Sequence, residues 1–213
     1  MEELLNDLLG IRNACGRYST EIADRFGMSI ADPPIEAFGM CFNHATLSLE
    51  TMSFFRRDWD ANPLLKTEPN ADVRHRQRVQ RIIEQTKGLF VLSLSSLEFV
   101  CRRSCSAYPA VLEMAEDKHH YLIGFMGRAH SRGLIDAIAY VRWTGISTIR
   151  NTVIHNNAIA EESRDVDFGG GLILSLREGQ PIEGSFRNFA RMIQWAVDGY
   201  AEWCHAFLKR AQG

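Results

Sequence analysis

The sequence predicts an all-α protein, a multi-helix up-and-down bundle with a small β-hairpin inserted before its C-terminal helix. Two observations carry that reading. Apolar residues return every three or four positions along most of the chain, the spacing of helices that each bury one face. The departure is a glycine-rich stretch near residue 170 followed by apolar/polar alternation, the period of a half-buried strand. The chain has 213 residues, 46% of them hydrophobic and 23% charged, which is enough for a single core, so one domain spanning 1–213 is expected.

The elements follow in order. Leu4, Leu8, Ile11, Cys15, Tyr18, Ile22 and Phe26 mark a first amphipathic helix ended near Gly27. Asp32-Pro33-Pro34 forces a break, and a second helix is expected from about Ile35 to Trp59 with Phe38, Phe42, Ala45, Leu49 and Met52 on its apolar side. The region of Pro63 and Pro69 reads as a loop. A long third helix follows, capped by Asn70 or Asp72, with Val79, Ile82, Ile83, Phe90, Leu94, Leu97 and Cys101 as its buried stripe. Its first half differs: Arg74, Arg78 and Arg81 line one face with His75 and Arg76 beside them. That face is either a surface for phosphate contact or a solvated one pairing with Glu84 and other acids.

Residues 107–133 give no firm assignment beyond a helical-looking Val111 to Asp117. Adjacent His119 and His120 point in different directions on any regular element and make a poor metal pair. Helical spacing returns through Ile138, Val141, Ile146, Ile149 and Val153, with a break expected near Thr144-Gly145. Asp167 to Gly171 is turn-like, and Leu172 to Arg177 alternates apolar and polar residues before Glu178-Gly179-Gln180-Pro181, which reads as a small hairpin. No lysine-serine or lysine-threonine pair follows the glycines, so they form neither a Walker motif nor a dinucleotide fingerprint. Ser185 is the expected cap of a final helix carrying Phe189, Ile193, Ala196, Tyr200, Trp203 and Phe207, which we expect to pack against the preceding helix and hold His155 in place.

The formal net charge of −2 argues against coating nucleic acid through bulk electrostatics and leaves any RNA contact to a local patch. Cysteines at 15, 41, 101, 105 and 204 are odd in number and include no CxxC pair, so neither a disulfide framework nor a thiolate zinc site is expected. Met1-Glu2-Glu3 lacks the basic start of a secretory signal, and the longest apolar run, near Phe90 to Val100, is short and contains Glu98. A cytoplasmic protein without a membrane span is the expectation.

The sharpest functional signal is the hexapeptide Arg150-Asn151-Thr152-Val153-Ile154-His155, followed by Asn156-Asn157. It sets a guanidinium, a carboxamide and an imidazole within about one and a half helical turns. Asn151 and His155 are i,i+4 neighbours on one face, and the long Arg150 stem can reach their line. Imidazole moves protons near neutral pH, and guanidinium neutralises charge on phosphate oxygens. A plainer reading makes Arg150 and Asn151 solvated positions and His155 a helix-terminal residue favoured by the C-terminal dipole.

Arg followed after four residues by His, with Asn directly after the Arg, resembles the signature of HEPN domains. The earlier helix with the run Phe90 to Glu98, the motif helix, a short insert and a long closing helix fit that pattern over roughly residues 70 to 210. The resemblance implies a HEPN-type bundle with a core at 70–213 and an N-terminal helical extension at 1–69. It implies a homodimer whose two motifs share a cleft, and a metal-independent endoribonuclease of toxin or phage-defence type with Arg150, Asn151 and His155 as catalytic residues and no cofactor or metal. Its products would be a 2′,3′-cyclic phosphate and a 5′-hydroxyl, and its partners RNA and an antitoxin protein. Some members carry, two residues after the histidine, a tyrosine that a partner nucleotidyltransferase modifies. Here that position is Asn157, so such regulation is not expected. The alternative within the resemblance is a non-catalytic module that binds nucleotide, RNA or protein.

Overall fold

A computed structural model describes residues 1–62, 71–114, 120–155, 158–182 and 186–213. The expected loop at Pro63 and Pro69, the Asn70 and Ser185 caps, His119 and Asn156-Asn157 lie outside the described residues. Among the described residues the protein is mostly helical, 77% helix with seven helices and one two-stranded antiparallel hairpin.

The first helix, α1 (Glu2–Phe26), stops where Gly27 takes a left-handed conformation (φ 63°) and its N–H bonds the Ala23 carbonyl, a backbone state that glycine adopts without a Cβ penalty. The second, α2 (Pro33–Ala61), begins two residues earlier than the apolar spacing suggests. Proline fits the first helical turn, where its missing N–H is not needed. The third, α3 (Ala71–Ala107), runs for 37 residues, about 55 Å. A short α4 (Pro109–Leu112) ends at Glu113, also left-handed at φ 50°, and the rest of the stretch expected to be helical, from residue 115 to Asp117, lies outside the described residues. Then come α5 (Leu122–Ser131), α6 (Ala137–His155), the strands β1 (Arg164–Asp167) and β2 (Ile173–Leu176), and α7 (Phe186–Gln212).

Four long helices form the body, with α1 packed on α2, α2 on α3, α3 on α7 and α7 on α1. The apolar stripe of α7 (Phe189, Ile193, Ala196, Tyr200, Trp203, Phe207) is wholly buried. The Tyr200 hydroxyl donates to the Pro34 carbonyl at 3.0 Å and the Tyr18 hydroxyl to Asp198 at 2.9 Å, so α7 is tied to the first two helices by polar as well as apolar contacts. All five cysteines are free. Burial pushes the Cys41 thiol up to about 12 and Cys105 likewise to about 12, which keeps both protonated and unreactive at neutral pH.

The expected break at Thr144-Gly145 is absent, because α6 runs unbroken through it. Gly145 serves a different purpose. A Cβ there would lie 2.3 Å from Cγ1 of Val166, so the missing side chain lets the hairpin sit directly on α6. In the hairpin Arg164 pairs with Leu176 and Val166 with Leu174. Val166, Leu174 and Leu176 turn inward, while Ile173 and Ser175 face out. The alternation read from the sequence therefore defines β2, and the Gly169-Gly170-Gly171 turn, at positive φ throughout, reverses the chain. One helix pairing differs from expectation in its location. The C-terminal α7 meets α6 at Trp143, whose ring lies 5.0 Å from that of Trp195 and against Gly199, about two turns before the motif.

Candidate active site

The motif occupies the last turn and a half of α6. Arg150 is mostly buried, whereas Asn151 and His155 are exposed. Beyond its last residue, His155, Ala158, left-handed at φ 64°, donates its N–H to the Thr152 carbonyl at 3.1 Å. What positions Arg150 is α3. Its Nη1 donates to Oε2 of Glu98 at 3.0 Å and its Nη2 to Oγ of Ser95 at 3.0 Å. The side chains of the ion pair are only 16% and 13% exposed.

Glu98 is the hub of this corner. Besides Arg150, its Oε2 accepts the Leu122 N–H at 3.1 Å, so a carboxylate from α3 caps the start of α5 where Tyr121 supplies no side-chain cap. Its Oε1 lies 3.8 Å from Arg102, and Arg102 in turn donates to the His120 carbonyl at 3.2 Å. One carboxylate thereby serves two guanidiniums and a helix terminus, leaving the cluster with a net positive charge.

Arg150, Asn151 and His155 all line one cleft of about 240 Å³ together with Glu98, Tyr121 and Ser147. Within it, Nε of Arg150 and Oγ of Ser147 are buried and have no hydrogen-bond partner, two polar atoms that a bound ligand or water would satisfy. Asn151 and His155 also line a second depression, of about 440 Å³, facing Glu161 and Glu162. They therefore stand on a ridge between two hollows, one holding the Arg150–Glu98 pair and one holding Glu161 and Glu162.

The sequence expectation that the Arg150 stem would reach toward the Asn151–His155 line is met only in part. All three share the cleft, but both ends of the guanidinium are turned to α3. Sequence reasoning missed Glu98 and Ser95 as members of the site. A signal existed, since Glu98 is the only acid in the run from Phe90 to Val100 and Ser95 precedes it by three, on the same helix face.

Two large apolar side chains beside the motif are exposed. Tyr121 is 65% exposed and Ile154 42%. The outward stripe of α6 runs Ile138, Val141, Thr144, Thr148, Asn151, His155, with no charged side chain among them. Among the described residues, no three His, Cys, Asp or Glu side chains are grouped to hold a metal ion, and no helix is long and apolar enough to cross a membrane. Comparison of the chain with protein-family models, with curated proteins and with solved structures finds no match.

Proposed function

We propose that the protein is a HEPN-like, metal-independent endoribonuclease acting as a homodimer. The observation that carries this reading is the shared cleft, where Arg150 is fixed by Glu98 and Ser95 while the Asn151 and His155 side chains reach solvent beside it. In this scheme the His155 imidazole takes the proton from a ribose 2′-hydroxyl. The 2′-oxygen attacks the adjacent phosphorus, the bond from phosphorus to the 5′-oxygen breaks, and the leaving oxygen receives a proton from the imidazolium or from the same residue of a second copy. Arg150 offers positive charge to the pentacoordinate transition state, and Asn151 offers its carboxamide to a phosphate oxygen. DNA, lacking the 2′-hydroxyl, is spared.

The uncharged outward stripe of α6 supports the dimer, since a surface of Ile138, Val141 and two threonines, the first two 63% and 57% exposed, is suited to a self-complementary two-fold contact. A toxin or phage-defence setting, with RNA as substrate and an antitoxin protein as partner, and a cytoplasmic location belong to the same reading. A second reading has its own support. Because Glu98 and Ser95 already occupy both ends of the Arg150 guanidinium, and Glu161 and Glu162 flank His155, the same cleft suits a module that binds nucleotide, RNA or a protein partner without cleavage.

The test is incubation of the protein and its His155→Ala variant with mixed RNA in excess EDTA, followed by end-group analysis. Cyclic-phosphate and 5′-hydroxyl ends from the wild type, with a loss of about 10²–10⁴-fold in the variant, are expected. Absence of cleavage by a folded, dimeric wild type leaves the binding module as the function.

A further inference from the structure

The motif cleft holds more than the three residues of the reaction scheme. Ser147, Arg150, Asn151, Ile154 and His155 follow one another at three- and four-residue spacing, so a single stripe of α6 forms one wall. Among the described residues the facing wall comes from Glu98 of α3 and from Tyr121 and Ile123 at the start of α5. Ser147 is only 9% exposed, and its Oγ is buried without a hydrogen-bond partner. Its neighbours on α6 behave otherwise. The hydroxyls of Thr144, Thr148 and Thr152 each donate to the carbonyl four residues earlier, at 3.0, 3.1 and 3.0 Å. Ser147 leaves that ordinary bond unmade at the inner end of a cleft. Nε of Arg150 is unpartnered there as well, while its two Nη atoms are engaged by Glu98 and Ser95.

We propose that this inner end receives one unpaired nucleobase of a single-stranded RNA, stacked against Tyr121 with its polar edge on Ser147. The inference rests on RNA being the ligand of the motif, and it names the part of the strand that enters. A buried hydroxyl without a partner destabilises the empty protein and gains when a ligand supplies the bond. The Glu98 carboxylate disfavours a phosphate beside it. A base is uncharged, carries a hydrogen-bonding edge and offers a flat face to an aromatic ring. The cleft volume, about 240 Å³, falls just under the range of pockets for whole small ligands, roughly 300 Å³ and upward, which suits a single base. Ser147 and His155 are eight residues apart, about 12 Å along the helix. That span leaves room for a ribose and its phosphate between base and imidazole, beside Nε of Arg150 and the Asn151 carboxamide. In a duplex the edge of the base is already paired, so the cleft selects single strands.

Fluorescence anisotropy with short labelled strands, abasic except for one central 2′-deoxynucleotide, tests the pocket without cleavage, because no attacking hydroxyl is present. At least one of the four bases should raise affinity about tenfold over the wholly abasic strand. Tyr121→Leu should abolish that gain and Tyr121→Phe should keep it, while Ser147→Ala should reduce it for the preferred base. Tyr121 is largely exposed and the Ser147 hydroxyl bonds nothing, so these variants should fold, which circular dichroism checks. Where RNA is cut, the same base should recur beside the cleaved bond, and annealing a complementary strand should stop the reaction. The proposal is overturned if no base improves on the abasic strand or if Tyr121→Leu binds as the wild type does. Cleavage indifferent to base and to pairing also overturns it and leaves the ribonuclease reading intact. Base-dependent binding that needs Tyr121, with no RNA cut, keeps the pocket and removes the ribonuclease.

Discussion

Two arginines, one docked on α3 from α6 and one belonging to α3 itself, are held by opposite means. Toward the C-terminal end, Arg150 of α6 is clamped by a carboxylate and a hydroxyl, Glu98 and Ser95, at hydrogen-bonding distance. Toward the N-terminal end, Arg78 lies over the face of Trp59. A carboxylate fixes the direction of a guanidinium and cancels most of its charge nearby, whereas an aromatic ring restrains it and leaves its charge available. The first arrangement suits a group that must hold one orientation beside a reactive imidazole. The second restrains a guanidinium by packing, with Asp58 and Asp60 acting on it through space.

Removing the partner in each place separates the two arrangements most clearly. Glu98→Ala leaves a mostly buried guanidinium unpaired and strips the acceptor from the Leu122 N–H. About 3 kcal/mol of stability should be lost in urea unfolding, with α5 and the motif cleft affected first in hydrogen exchange. Arg78→Gln should cost only about 1 kcal/mol, the worth of one partly buried cation–π contact. Equal losses at the two sites would mean that Glu98 is no more than a surface partner. Next in size, Gly145→Val should drive Val166 and the hairpin off α6 at a cost of about 1–3 kcal/mol. Its effect should be felt at His155 through Glu161, Glu162 and Leu176, which face it, and not at Arg78. Adding Val166→Ala should recover part of the loss, which a double-mutant cycle measures.

The smallest effect concerns the middle of α3. Burial lowers the pKa of His44 from its usual 6.5, and its Nε2 lies 3.1 Å from Oγ of Ser96. Ser96 already donates its proton to the Leu92 carbonyl at 3.0 Å, so His44 is the donor. With the folded value below the unfolded one, the native state binds fewer protons, and stability falls as pH drops below about 6.5. Thermal unfolding between about pH 7.5 and 5.5 should show that decline, and His44→Gln should flatten it.

Much of the scaffold was legible from spacing alone. The α7 stripe, the stop at Gly27 and the hairpin with its glycine turn were each predicted from local pattern, because helix and strand periods are properties of consecutive residues. Phe42 shows the limit of that reasoning: it belongs to the α2 apolar series yet is 37% exposed, its ring lying beside Gly16 of α1 and not within the core. Gly145 was misread for a related reason. In the sequence it looks like a break, but Val166, twenty-one residues later, explains it, and contacts at that separation leave no periodic trace.

The candidate site divides along the same line. The sequence by itself determined that Asn151 and His155 share a helix face, because a four-residue offset on an α-helix allows nothing else. It also determined the facing arginines of α3. Only the tertiary structure decided that Arg150 turns toward Ser95 and Glu98, that the same carboxylate caps α5, and that Trp59 lies under Arg78. Each of those depends on which helices become neighbours, which is set by the fit of whole buried faces and not by any short stretch of residues.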